Sequence, residues 1–166
     1  MKLLQQPRLV FGAIFAACAA LIGFGLYLQH AQVLEPCPMC ILQRYAFIAI
    51  GLVALLVAIA DARGWTLRIS SALVFLLAVA GGGVAVRHSW LQHFPPVNQS
   101  CGADLSYLLE LPLSRAWPAI FRGTGECSEV HWKFIGLSIP EWALVWFMVF
   151  AVLAITLLVR RRRIEV

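Results

Sequence analysis

The chain has 166 residues, of which 61% are hydrophobic and 13% charged, where a soluble domain holds about 45–50% apolar and ~25% charged residues. A small globule leaves much of its surface in water, so a soluble enzyme and a disordered tail are both excluded, and an apolar solvent must surround the fold. The net charge of +5 does not point to nucleic acid, because the basic residues lie mostly at the ends of apolar runs, where they orient helices in a membrane.

Uncharged stretches mark the predicted elements in chain order. The first, 9–34, exceeds the roughly 20 residues a helix needs to cross about 30 Å of hydrocarbon, and a span is predicted at about 9–29. Lys2 and Arg8 precede it as in a signal peptide. Its apolar run is longer than the roughly 7–15 residues of a signal core, which favours a retained helix. Cys18 lies mid-span among Ala and Leu and reads as a small buried hydrophobe.

A short loop, 30–40, carries Cys37-Pro-Met-Cys40. The second uncharged stretch, 45–60, reaches spanning length only if the helix starts near Ile41, which draws Arg44 inside a span at 41–60. The third span is predicted at 68–88. Its Gly81-Gly-Gly83 permits close helix packing or a local kink, and His88 at its outer end reads as an interfacial polar residue.

The long loop, 89–140, is punctuated by Pro95-Pro96, Asn98, Gly102, Gly123 and Gly125, all turn formers. Between them, residues 105–121 are too polar to span, and Pro112 and Pro118 forbid one long helix. Their Leu, Trp and Phe suit a short helix in the interface plane, or packing onto the loop's own core. The last span is predicted at 141–159 and ends on Arg160 to Arg163, a topology signal or a contact for anionic lipid. The expected fold is one all-α integral membrane domain over 1–166. It is a four-transmembrane-helix bundle with one short and one long periplasmic loop, the long loop carrying a short interfacial helix.

Charge orients the bundle. One side holds Lys2, Arg8, Arg63, Arg68 and Arg160 to Arg163. The other has no Lys or Arg in the short loop, while Arg87, Arg115, Arg122 and Lys133 around the long loop are offset by five acids, Asp104, Glu110, Glu126, Glu129 and Glu141. The positive-inside rule puts both termini in the cytoplasm and both loops outside, in the periplasm of a Gram-negative host. Cys37, Cys40, Cys101 and Cys127 then all lie outside, where disulfides form and persist.

Cys37-Pro-Met-Cys40 could be a structural disulfide or half of a four-cysteine zinc site. Zinc would need a second close pair, but 25 residues separate Cys101 from Cys127. No His follows Cys40 as a c-type haem attachment requires, so no metal is expected. The position of Cys40 favours redox chemistry, since unpaired amides and the dipole at a helix start stabilise an anion. Arg44 lies four residues on, on the same helical face and roughly 6 Å along the axis. It either snorkels to the headgroups or holds Cys40 as a thiolate and polarises an acceptor beside it. Cys101 and Cys127 sit in a Gly- and Pro-bearing loop, where a disulfide would contribute roughly 3–4 kcal/mol in the chain-entropy model and be exposed and labile. Two such pairs on one membrane face allow electrons to pass by thiol–disulfide exchange.

The run Glu35-Pro-Cys-Pro-Met-Cys-Ile-Leu-Gln-Arg44, the loop cysteines, the four spans and the Gly125–Trp142 approach to the last helix together resemble the disulfide-bond formation protein B family. The resemblance covers nearly the whole chain and implies a bacterial inner-membrane thiol:quinone oxidoreductase. Cys101–Cys127 would oxidise a periplasmic thioredoxin-like (DsbA-like) dithiol oxidase, with Cys101 taking the mixed disulfide. An inter-loop Cys37–Cys127 exchange would carry electrons to Cys37–Cys40. Cys40, assisted by Arg44, would pass them to a bound quinone, ubiquinone or menaquinone, and His88 would lie close to the quinone pocket. Vitamin K epoxide reductase-type enzymes place the loop pair before the C-x-x-C, whereas here it follows. A sister oxidase with a dedicated partner and a non-catalytic scaffold with structural loop disulfides are the alternatives.

Overall fold

Apolar runs without water around them must satisfy their backbone internally, and helices do so within one segment. The computed structural model describes residues 6–31, 36–95, 125–128, 130 and 132–162. The elements are α1 (Pro7–Ala31), α2 (Pro38–Ala60), α3 (Gly64–His93), a short α4 (Gly125–Ser128), strands β1 (Lys133–Phe134) and β2 (Leu137–Ser138), and α5 (Ile139–Arg162). Four helices are long and apolar enough to cross a membrane, with spans of 25, 23, 30 and 21 residues in α1, α2, α3 and α5. The chain is a four-helix membrane bundle. Exposed Leu56, Ile59, Leu76 and Val152 are apolar on the outside as well as the inside of the bundle, as lipid requires.

The helices outrun the uncharged windows. Residue 41 was the expected start of the second span, but α2 begins at Pro38, with Cys37 as N-cap and Pro at the first turn, where a missing N–H costs nothing. Cys40 is thereby inside the helix. The third helix continues to His93 rather than stopping at 88. Charge-free windows mark hydrocarbon depth, whereas helices continue through the interface to a cap. The expected interfacial helix at 105–121, and Cys101, lie outside the described residues.

α3 packs most extensively on α5, α1 on α2, and α2 on α3. The α2–α3–α5 seam is built on Phe47, whose ring stacks on Phe147 at 4.2 Å between centroids and meets Phe150 edge-on at 6.2 Å. Gly81 resolves the packing-or-kink alternative. α3 is continuous through it, and a Cβ there would come within 2.5 Å of the Phe147 ring and 3.0 Å of the Ala46 Cβ. The missing side chain is the space that Phe147 fills, as small residues allow in membrane bundles. Cys18 is buried against Gly51, two small residues at the α1–α2 contact.

The hairpin is an addition to the all-α expectation. Lys133 pairs with Ser138 and Phe134 with Leu137, and the turn places Ile135 and Gly136 at φ 53° and 80°. Two-residue turns of this hand usually announce themselves as Asn-Gly. Ile-Gly between two-residue strands carries no such signal. The hairpin leads straight into α5, where Glu141 accepts a hydrogen bond from the Ser138 N–H at 2.6 Å, and the Trp142 indole donates to the Phe134 carbonyl at 3.0 Å.

Candidate active site

One end of the bundle, where α1 and α3 finish and α2 and α5 begin, gathers the chemistry. Cys37 caps α2 with its side chain: its Sγ accepts a hydrogen bond from the Cys40 amide at 3.4 Å, and its thiol donates to Cys40 Sγ at 3.3 Å. The C-x-x-C spacing makes this contact, because a residue at N-cap and one at N3 meet across the first turn.

His88 stands inside the bundle beside the cysteines. It is buried in α3, 2% exposed, with Nε2 at 3.6 Å from Cys37 Sγ and Nδ1 at 3.3 Å from the Gln43 amide nitrogen. Cys127 is also more buried than expected. Instead of an exposed loop position it sits on α4, 1% exposed, in a small cluster with Cys37, Met39 and Leu91. α4 packs on α3, which brings Cys127 to the C-x-x-C. Its sulfur, the Cys37 sulfur and a His88 ring nitrogen all lie within 4.8 Å of one another. This spacing suits thiol–disulfide exchange. It also provides three donors of the kind a thiophilic cation takes. Cysteine spacing alone could not see His88 arrive from another helix.

Arg44 faces α1. One guanidinium nitrogen donates to Gln29 Oε1 at 2.7 Å and another to the Gly25 carbonyl at 3.1 Å. Gly25 has no side chain to block it, and a Cβ there would touch the guanidinium at 3.5 Å. The contacts are lateral, across the bundle, and do not have the form of a side chain reaching along its own helix for the headgroups.

Cys37, Cys40, Gln43, Arg44 and His88 line one side of a cavity of about 500 Å³. Its other walls come from α1 (Leu21, Phe24, Leu28), the hairpin (Trp132, Phe134) and α5 (Pro140, Trp142, Trp146). Trp132 bridges Phe24 of α1, edge-on at 5.6 Å, and Phe134, stacked at 5.8 Å. Gln92 also lines it, with an Oε1 that is buried without a hydrogen-bond partner among the described residues. A mostly apolar cavity with a few convergent polar groups is the usual form of a small-molecule site.

Gln29, Gln43 and Gln92 escaped the reading of the sequence, which followed charges alone. An uncharged amide within an apolar run is a weaker mark of the same kind, since unpaired polar groups are costly in hydrocarbon.

The sequence model of the family described as "Disulfide bond formation protein DsbB" matches residues 7–157. The chain is 52% identical over 158 residues to "Disulfide bond formation protein B" of Aromatoleum aromaticum, covering 95% of both chains. It is 51% identical over 159 residues to the protein of that name from Azoarcus sp. strain BH72, covering 95% of this chain and 96% of the relative. A 42% identity to the Marinobacter nauticus protein of the same name spans 95% of both. Matched along nearly its whole length, and folded as a four-helix membrane bundle, the chain belongs to the DsbB family of disulfide-bond-forming membrane proteins.

Proposed function

We propose that the chain is a thiol:quinone oxidoreductase of the bacterial inner membrane, which reoxidises a periplasmic thioredoxin-like dithiol oxidase and delivers the electrons to a membrane quinone. The observation that carries this reading is the position of Cys37. It touches Cys40 at 3.3 Å on one side and lies within 4.8 Å of the Cys127 sulfur on the other, at the wall of the cavity that Arg44 and Cys40 also line.

A thiolate at Cys127, freed when a partner cysteine engages Cys101, attacks Cys37 Sγ of a Cys37–Cys40 disulfide. The S–S bond to Cys40 breaks, a Cys37–Cys127 disulfide forms, and the electron pair leaves on Cys40 Sγ. The partner's second cysteine then attacks the partner sulfur of the mixed disulfide, closing the partner's own disulfide and freeing Cys101 as a thiolate, which attacks Cys127, restores the outer disulfide and releases Cys37. The two electrons of the partner now reside on Cys37 and Cys40.

The cavity fits a quinone head group. About 500 Å³ lies within the range of small-molecule sites, its walls are mainly apolar and aromatic, and one cationic donor faces in. Arg44 and Cys40 would hold the head group, with Trp142 and Trp146 along the apolar wall. When bound there, a quinone of either class, ubiquinone or menaquinone, supplies an acceptor for two electrons and two protons. Arg44, tethered by Gln29 and Gly25, keeps a fixed positive charge beside Cys40, so a thiolate leaving there meets a prepared electrostatic environment. The positive-inside distribution supports placing both termini in the cytoplasm and the working cysteines in the periplasm.

The test is stoichiometric. Purified protein in lipid nanodiscs is supplied with a reduced thioredoxin-like dithiol donor and with a ubiquinone or a menaquinone analogue. One quinone should be reduced per donor disulfide formed. Donor oxidation with no quinone consumed in either arm would overturn the assignment.

A further inference from the structure

The buried amide of Gln43 has a task that the electron path above does not use. Cys37, the sulfur through which both exchanges run, carries a single thiol proton, and Cys40 Sγ at 3.3 Å is the acceptor to which we assign it. Toward α3 and the helix interior Cys37 therefore offers lone pairs. The Cys40 amide N–H fills one at 3.4 Å, and His88 Nε2, at 3.6 Å, meets the sulfur where it has only an acceptor to give. Nε2 must then bear the ring proton. In neutral imidazole that leaves Nδ1 as the acceptor, and the group facing Nδ1 at 3.3 Å is the amide nitrogen of Gln43, a donor. The pattern is Gln43 N–H to Nδ1 and Nε2–H toward Cys37 Sγ, with the Cys127 backbone also within hydrogen-bond reach of the ring.

We infer that Gln43 is a positioning residue that holds His88 in its Nε2–H form, and that His88, with the Cys40 amide, makes a two-donor cradle for the sulfur of Cys37 as it leaves or attacks. The logic is that of an orienting amide behind a histidine behind a cysteine, with the histidine donating to the sulfur. The inference rests on the Cys127–Cys37 exchange proposed above. When an incoming thiolate takes Cys127 out of a Cys37–Cys127 disulfide, a new S–S bond forms at Cys127 and the old one breaks. The electron pair stays on Cys37 Sγ, and no net oxidation occurs. That new thiolate arises where burial makes an unsolvated charge costly, and the two N–H donors replace water around it. Among the described residues, Cys127 acts on His88, and Cys40, beside Cys37, is acted on in turn by Cys127 and Arg44. Arg44 spends its contacts on Gln29 and Gly25, so the N–H donor near Cys37 from across the bundle is His88.

The placement also explains why a glutamine is tolerated there. Gln43 is 3% exposed in the midst of an apolar helix, and a buried amide is retained where its partner needs it. A glutamine can donate from one side of its head whatever the pH, whereas leucine of similar length cannot donate and an ionised glutamate can only accept.

The experiment uses the full-length protein in nanodiscs with ring-¹⁵N histidine, the His88 signal being assigned by its loss in His88→Gln. Nitrogen shifts and ring couplings report which nitrogen carries the proton. The wild type should show a single Nε2–H tautomer at His88. Gln43→Leu should give a mixture of tautomers. Gln43→Glu, recorded at alkaline pH where the carboxylate is ionised and has no donor to offer, should convert the ring to a form protonated at Nδ1. In the same variants, stopped-flow trapping of the Cys37–Cys127 species should show exchange slowed by roughly tenfold to a hundredfold, the worth of a hydrogen bond to a charged group, while first capture of a dithiol donor is unchanged. A wild-type ring protonated at Nδ1, or the same tautomer in wild type and Gln43→Glu, would overturn the inference. If Gln43→Leu does not fold, the wild-type and Gln43→Glu spectra still decide. The tautomer needs no quinone, so a failure of quinone reduction with the expected spectra removes the oxidase reading and leaves the Gln43–His88 assignment standing.

Discussion

Within α2, two successive stretches do opposite things. From Phe47 to Val57 the inward face is apolar and packed: Phe47, Ile50, Ala54 and Val57 are all buried in the main core, and Phe47 stacks flat on Phe147. From Cys37 to Arg44 the same helix presents two thiols, an amide and a guanidinium to a cavity of about 500 Å³. A polar group at membrane depth is costly and is kept where something binds or reacts, and a void forgoes the dispersion contacts that fill the other half. The comparison teaches that stability and chemistry are divided along one helix, with the ring of Phe47 as the boundary.

The division breaks most visibly at Cys40. Cys40→Ser should abolish quinone reduction, because the electron pair that leaves Cys37–Cys40 has no sulfur to leave on. The packed half should be unaffected, so the midpoint of denaturation in mixed micelles should match that of the parent. Retained turnover would contradict the electron path. Loss of stability would mean that the site half also holds the fold.

Phe147→Ala strikes the other side. Removing a buried ring that stacks on Phe47 and fills the space over Gly81 should lower stability by about 3–5 kcal/mol, read from the same denaturation curves. Turnover per folded molecule should stay close to the parent's if the two halves are separable. A parallel collapse of activity would show that the cavity depends on the seam below it.

The sequence showed this division only in part. The four spans were legible because their signal is local, a run of uncharged residues long enough to cross hydrocarbon. Cys37, Cys40 and Arg44 were legible for the same reason, being neighbours on one turn of one helix. The burial of His88 and Cys127 was not legible from residue spacing, and only the family resemblance pointed to them as site residues, because burial depends on partners remote in the chain: α2 covers His88, and α4 folds Cys127 onto α3. Gln43 and the cavity left no local trace, since an amide means nothing until His88 stands opposite it. The hairpin at 133–138 was missed because Ile-Gly turns are rare and its strands are two residues long.

Arg44→Ala should sharpen the comparison from the site side at a smaller scale. The guanidinium has two contacts, with Gln29 and Gly25, and its loss should raise the KM for quinone by roughly tenfold to a hundredfold, as for a charge-assisted hydrogen bond. Capture of the dithiol partner should change by less than about twofold, since the hydrogen bonds of Arg44 go to α1. An equal effect on both steps would make Arg44 an anchor for α1 on α2 and would extend the structural half of the helix up to the site.

The smallest effect tests the seam at one atom. In Gly81→Ala the new methyl would sit 2.5 Å from two atoms of the Phe147 ring and 3.0 Å from Ala46 Cβ, and the ring cannot swing aside freely because it is stacked on Phe47. Overpacking of this kind costs about 1–3 kcal/mol, offset by about 1 kcal/mol from replacing a glycine inside a helix. Gly83 supplies the control, since a Cβ there meets nothing within 4 Å. Gly83→Ala should gain the propensity without the clash. Gly81→Ala should therefore denature earlier than Gly83→Ala by an amount equal to the overpacking alone, and a Phe147→Leu background should erase that difference. If the two alanine variants denature together, Gly81 is not what lets α5 approach α3, and the boundary at Phe47 must be held by some other contact.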